Sequence, residues 1–307
     1  MFFGYNFLIP MNRFSLATFA LALLILCGCA SASAGTPSSA DSTPAASVSI
    51  QNKGSDTIVN LALAWAERYQ TLHPEMRISV TGGGSGTGIT ALIDGTVDIA
   101  NASRAMKTEE IDAAKAKGIT PVEHVIARDA IAVIVNPENP VNELTLEQIS
   151  LIYKGLINNW SEVGGEDRPI VRLSRETNSG THVYFLEEVV RLGSKTDKTI
   201  FSADTLLLAS SEGIISEVRD NPNAIGYDGL GYVVPEVKVI GVARKNGDPY
   251  VMPSVETVND GKYPVSRDLY MYTSDKVGPQ IQTYLDWILS PEAQEIVVDL
   301  GFVPVKK

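Results

Sequence analysis

The chain predicts an α/β fold. Three features carry that expectation: strand-like and helix-like segments alternate from Val48 onward, the strands are apolar without inside–outside alternation, and turns rich in glycine and hydroxyl residues follow several of them. Alternating strands and helices build a mostly parallel sheet, and a strand apolar at every position needs cover on both faces. With 307 residues, 44% of them hydrophobic, the chain can bury a large core and has the length of about two domains.

The elements follow in order. Val48-Ser49-Ile50 is a strand, and a helix over 58–73 stops at Pro74, which disfavours helical geometry in the residue before it. Trp65 and Tyr69 fall four apart on that helix and so share one face, as core residues do. A strand over 77–81, a helix over 86–94, a strand over 98–100 and a helix over 108–117 closed by Gly118 come next. The run 129–135 is a strand halted at Asn136-Pro137. Thr145-Leu146-Glu147-Gln148 is a capping box opening a helix to Tyr153. A strand over 169–173, a helix over 181–192 and a last helix over 291–300, stopped by Gly301, complete the series.

Residues 1–28 have the form of a secretory signal: an apolar run over 17–26 follows the single basic residue Arg13 and is too short to span a membrane. The segment Leu26-Cys27-Gly28-Cys29 resembles the lipobox of bacterial lipoproteins, which implies lipidation of Cys29 and a membrane anchor. Cleavage later, within residues 30–34, is the alternative. Met11 precedes Arg13 and suits a normal signal start, so translation from Met11 rather than Met1 is also open. Residues 29–47 are small and polar and read as a flexible tether. Both cysteines lie in this leader, so the exported domain has no internal disulfide. Removing residues 1–28 takes away Arg13 and no acidic residue, moving the net charge from −11 to −12, a poor balance for binding nucleic acid. His73, His124 and His182 lack metal-ligand spacing, so no metal and no cofactor is expected.

The stretch Gly82-Gly83-Gly84-Ser85-Gly86-Thr87-Gly88-Ile89 can be tested against glycine-rich motifs. A P-loop needs Lys after its last glycine and a dinucleotide fingerprint a third glycine; Ile89 stands at both places. A nucleophile elbow needs Gly-x-Ser-x-Gly, but two residues either side of Ser85 are Gly83 and Thr87. What remains is a strand, a glycine turn and a helix start bearing Ser85 and Thr87, a geometry that attracts anions. Gly54-Ser55-Asp56-Thr57 and Ser174-Arg175-Glu176-Thr177-Asn178-Ser179-Gly180-Thr181 also join a strand end to a helix start. In an α/β sheet such loops gather at one edge, so the three can converge on a small oxyanion. Arg175 adds a guanidinium fork able to grip a tetrahedral anion in two places, or else a surface ion pair with Glu176.

These motifs, together with Asp98-Ile99-Ala100-Asn101-Ala102-Ser103-Arg104, stand in the order and spacing of the phosphate-binding lipoproteins of bacterial Pst-type ABC importers, which the chain resembles from Val48 to its C-terminus. The blocks 127–136, Asn159-Trp160, 223–227 and 261–270 add to the likeness. The resemblance implies a two-lobe, type II periplasmic-binding-protein fold with ligand in the cleft. The expected lobes are 48–131 with 232–307, and 132–231, with hinge crossings near 130–134 and 228–233. It also implies capture of inorganic phosphate outside the cytoplasmic membrane by a monomer that delivers it to ABC permease subunits, without enzymatic chemistry. Implied contacts fall on Ser55, Asp56, Thr57, Ser85, Ser103, Arg104, Arg175, Ser179, Gly180 and Thr181. Another tetrahedral oxyanion (sulfate, molybdate or tungstate), a phosphate sensor, or a secreted phosphatase using Ser85 or Ser179 are the alternatives.

One departure bears on selectivity. Some members carry Asp after the serine of the 98–104 motif, where this chain has Arg104. Phosphate near neutral pH keeps a proton that sulfate lacks, so discrimination needs an acceptor in the site. Asp56 is the expected acceptor, though Asp at such a turn also suits a helix N-cap. His182 is expected on a solvent-exposed helix face, with no acid to orient it as a base. The acidic net charge does not oppose anion capture, because fields are screened over about 8 Å at physiological salt while a dry cleft acts at contact.

Overall fold

The computed structural model describes residues 48–305. The signal segment, the tether and Cys29 lie outside them. The chain begins β1 (Val48–Gly54), α1 (Asp56–Leu72), β2 (Met76–Thr81), α2 (Ser85–Ile93), β3 (Ile99–Ala102), α3 (Thr108–Ala116) and β4 (Pro121–Val135). It continues through β5 (Glu143–Thr145), α4 (Leu146–Tyr153), β6 (Val171–Arg175), α5 (Gly180–Phe185), β7 (Leu206–Leu208), α6 (Ser211–Asp220) and β8 (Ala224–Gly229). The last elements are β9 (Lys238–Val239), β10 (Gly241–Ala243), α7 (Val255–Asn259), β11 (Ser266–Ser274), α8 (Pro279–Ile288) and α9 (Pro291–Asp299).

Local chemistry explains the ends of these elements. Thr145 caps α4 as expected: its hydroxyl accepts the Gln148 N–H while the Gln148 side chain accepts the Thr145 N–H. Proline at the first helical position opens α8 and α9, where its missing N–H costs nothing. The expected 181–192 helix instead runs as α5 into a π-helical turn over Leu186–Val190.

A nine-stranded sheet has the order β2-β1-β3-β11-β4-β8-β6-β7, with β9 beside β4. The 15-residue β4 serves both halves. Its first part pairs antiparallel with β11, ending at Ala130↔Ser266, and its last five residues pair with β8, beginning at Ile131↔Gly229. Side chains of that second part alternate between two cores: Ile131, Val133 and Val135 face one, Ala132 and Ile134 the other. Cover on both faces is thus what the apolar run 129–135 requires. In the other half, Trp65 and Tyr69 are buried in the core over β1 and β11, and Trp65 Nε1 donates to the Ala293 carbonyl at 2.8 Å.

The first crossing, where β4 changes partner from β11 to β8, lies at Ala130/Ile131. The second does not fall at 228–233. After β8 the chain turns back, pairing β9 with Ile134 and Val135, and Ile240, Val242, Val258, Tyr263 and Val265 pack with Val133, Leu144 and Ile149. The segment 238–265, expected in the first lobe, therefore belongs to the second. The chain returns at Val265/Ser266, where the Ile131 N–H donates to the Val265 carbonyl at 2.8 Å. The expectation missed this because β9 and β10 have only two and three residues, too short for a periodic signal.

Gly88, on the buried face of α2, lies against β1. A Cβ there would collide with the Lys53 carbonyl oxygen and come within 2.6 Å of Gly54 Cα. Alanine normally stabilises a helix interior relative to glycine, but here the backbone clash outweighs that gain. Gly88→Ala should cost about 1–3 kcal/mol, seen as a lower urea midpoint at unchanged slope; an unmoved midpoint would contradict this packing.

Candidate functional site

Three helix starts meet between the two halves. Ser55 is the N-cap residue of α1 and its N–H donates to the Asn101 carbonyl at 3.0 Å, which docks the start of α1 on β3. Gly83 and Gly84, with φ of 114° and 90°, turn the chain into α2 so that Ser85 opens it fully buried. Ser179 caps α5, its hydroxyl oxygen accepting the N–H groups of Thr181 and His182. First-turn N–H groups have no backbone partner within their own helix; Ser179 takes two of those of α5 and the Asn178 carbonyl takes that of Gly86, and the rest can donate to an anion.

Side-chain contacts fix the convergence. Thr57 Oγ1 and Thr181 Oγ1 lie 2.8 Å apart, linking α1 to α5 across the cleft. Ser85 Oγ is 3.2 Å from Ser103 Oγ and accepts the Ser103 N–H at 3.0 Å. A Cβ on Gly180 would collide with both serine hydroxyls, which is why that position needs glycine. The halves also touch directly, since the Gly86 N–H donates to the Asn178 carbonyl and Asn178 Nδ2 to the Gly83 carbonyl, both at 3.0 Å. Ser55, Thr57, Ser85, Ser103, Arg175, Ser179, Gly180 and Thr181 are all buried here.

Each buried guanidinium in this region is matched by carboxylates. Arg175 does not pair with Glu176: its Nη2 donates to Asp56 Oδ2 at 2.8 Å and to the Ala209 carbonyl at 2.9 Å. Its Nη1 donates to Ser211 Oγ at 2.8 Å, and Asp228 lies 3.6 Å behind. With both Nη2 protons engaged, Nε–H is the donor left on that edge, so a two-point grip requires Asp56 to release Nη2. Asp56 is not a cap. It occupies the first helical position of α1, and its other oxygen, Oδ1, accepts the Gly83 N–H at 2.8 Å. One carboxylate thus ties the glycine loop of one half to the arginine of the other.

Arg104 is turned to Glu110, donating to both carboxylate oxygens at 2.8 and 2.7 Å. Burial pushes Glu110 up, but the hydrogen bonds and charge of Arg104, with the Lys107 N–H, outweigh it and hold the carboxyl below its ordinary value. Arg104 lines a cavity of about 860 Å³ between the halves, with Lys107, Tyr184, Glu187, Arg267 and Tyr270 among its walls.

A second inward-facing arginine, Arg267, lies in the block 261–270 but is not among the site residues that the sequence nominates. Its Nη2 lies 2.9 Å from Thr181 Oγ1, 3.4 Å from Thr57 Oγ1 and 3.1 Å from Asp129 Oδ2. Burial pushes Asp129 up to about 6 against the pull of Arg267, and pushes Asp228 up against Arg175. On an alternating strand sequence alone, such an arginine is indistinguishable from a surface one.

His182 is buried rather than exposed. It sits 4.7 Å from Phe201 ring to ring, and its Nδ1 is 2.8 Å from the Arg175 carbonyl oxygen and 3.0 Å from Ser174 Oγ. A proton on Nδ1 satisfies the carbonyl, and burial lowers the ring's pKa below the ordinary 6.5. The ring therefore faces Ser174, not Ser179. The partners of Ser85 Oγ are another hydroxyl and an N–H, neither of them a base.

Comparison with known proteins agrees with this geometry. The PBP superfamily domain matches residues 37–292. The phosphate-binding protein PstS of Pseudomonas aeruginosa is 32% identical over 273 residues, covering 83% of each chain. PstS of Bacillus subtilis is 31% identical over 268 residues, covering 87% of this chain and 84% of the relative. Among solved structures, a phosphate ABC transporter substrate-binding protein of Clostridium perfringens with bound phosphate superposes with a TM-score of 0.76 at 35% identity, covering 84% of this chain and all of that one. An ABC-type phosphate transport receptor of Vibrio cholerae superposes with a TM-score of 0.67 at 30% identity, covering 84% and 100%. The chain therefore belongs to the PBP superfamily and, within it, to the family of these PstS proteins.

Proposed function

We propose that this protein binds inorganic phosphate outside the cytoplasmic membrane and delivers it to the permease of an ABC importer. The observation that carries the reading is the meeting of α1, α2 and α5 starts around buried hydroxyls, with Arg175, Arg267 and Arg104 each already balanced by a carboxylate. Such a site holds an anion by N–H and O–H dipoles in a water-poor setting rather than by net charge. The names of relatives that align over most of their length support the same ligand and the same transporter class.

The binding set we assign is Ser55, Asp56, Thr57, Ser85, Ser103, Arg175, Ser179, Gly180 and Thr181. Arg104 acts at the cleft wall, where Glu110 holds it. Asp56 takes two roles. It anchors Arg175, and the remaining lone pairs of its carboxylate accept the proton that phosphate carries and sulfate lacks. The protein works as a monomer of two lobes meeting at Ala130/Ile131 and Val265/Ser266, and performs no chemistry. Cys29 carries the lipid that holds it at the membrane. No helix among the described residues is long and apolar enough to cross one.

Calorimetric titration with phosphate, sulfate, arsenate and molybdate tests the ligand: phosphate and its isostere arsenate should bind, and hydrolysis of an aryl phosphate would overturn the reading. Ser85→Ala should weaken phosphate binding roughly 10-fold, the loss of one hydrogen bond to a charged group. Asp56→Asn should reduce phosphate affinity more than sulfate affinity; an equal loss for both would leave Asp56 only its anchoring role. Intact-mass analysis of the mature chain should find a lipidated Cys29, and an unmodified N-terminus beyond it would refute the anchor.

A further inference from the structure

Arg267 stands one residue past the point where the chain re-enters the first lobe. Its Nη2 reaches three acceptors: Thr57 Oγ1 at the start of α1, Thr181 Oγ1 at the start of α5, and Asp129 Oδ2 on the crossing strand β4. The guanidinium carbon lies 5.4 Å from the ring centre of Tyr184, whose hydroxyl donates to the Ser266 carbonyl at 2.6 Å. The side chain is buried, and neither Nε nor Nη1 has a partner among the described residues. Burying a guanidinium with unmade hydrogen bonds is costly, so packing alone gives no reason for arginine at this place.

We infer that Arg267 couples anion capture to lobe closure by orienting the hydroxyls of Thr57 and Thr181, an inference that rests on reading this cluster as the phosphate site. A hydroxyl has one proton to give and two lone pairs to receive. With one Nη2 proton on Asp129 and the other shared between the two adjacent threonine oxygens, the threonine protons are free to point elsewhere. One of the two is spent on the 2.8 Å Thr57–Thr181 bond. A bound oxyanion replaces that bond by accepting from both hydroxyls, and Arg267 behind them strengthens both donors. Opening the cleft separates Thr181 from both Thr57 and Arg267, and leaves Arg267 with Thr57 and Asp129 of its own lobe. Contact with both threonines exists only when the lobes meet, and a contact that differs between two states is what biases one over the other. Asp129 balances the charge of Arg267, so the hydroxyls remain the direct donors to the anion.

Arg267→Lys keeps the ion pair with Asp129 but loses the planar fork, while Thr181→Val removes one hydroxyl. Titrating each variant and the double variant with phosphate, alongside their melting temperatures, tests the coupling. Each single change should weaken binding roughly 10-fold, and the double change should be little weaker than either single one, because both break the same contact. Unchanged affinity in Arg267→Lys, or losses that simply multiply in the double variant, would overturn the inference and leave Arg267 a structural residue whose loss lowers only the melting temperature. If Ser85→Ala also bound phosphate normally, the site itself would be misassigned and this role would fall with it.

Discussion

Everything about the site depends on one strand being shared between two half-sheets. Up to Ala130, β4 pairs with β11, and from Ile131 it pairs with β8, so its backbone hydrogen bonds hold both lobes to one rigid line. Strand ends on either side of that line feed α1 and α2 from one half and α5 from the other. The second crossing lies beside the first, and the two together place Asp129 and Arg267 where both lobes can be felt by one ion pair.

The charge arrangement follows from burial. An unpaired guanidinium in this interior would be expensive, so Arg175 is held by Asp56 and Asp228, Arg267 by Asp129, and Arg104 by Glu110. The net −11 of the chain is therefore compatible with an anion site, because the local donors are neutral dipoles and balanced pairs. Desolvation also explains why the carboxyls behind the arginines, Asp129 and Asp228, are raised despite their positive neighbours, while Glu110, nearer the solvent, is lowered. Bonds such as Gly86 N–H to Asn178 and Asp56 to Arg175 run from lobe to lobe, so the groups that would hold the ligand also hold the cleft together.

Much was legible in the chain because some signals are local. The capping box at Thr145, the stop of the first helix near Pro74, the glycine turn before Ser85 and the apolar run 129–135 are read from neighbouring residues alone, and an element forms at each, although β4 begins earlier than the apolar run, at Pro121. Three turns with hydroxyls at helix starts could likewise be recognised as members of one set, since strand-to-helix turns in such a sheet share an edge. Their residues do converge, Thr57 on Thr181 and Ser85 on Ser103 and Gly180.

What the sequence determined by itself was therefore the α/β class, the order of the elements and the chemistry of the three turns. Tertiary structure alone decided partners. Asp56 meets Arg175 across 119 positions of chain, Arg267 meets Thr57 across 210, and His182 is buried because Phe201 packs on its ring. It also decided that segment 238–265 packs in the second lobe, since β9 and β10 gain their identity only by pairing with β4 and β5. The physical reason is common to all four: a side chain's pairing and burial are properties of what the folded backbone brings within a few ångströms, and no periodicity or cap in the local sequence encodes that distance.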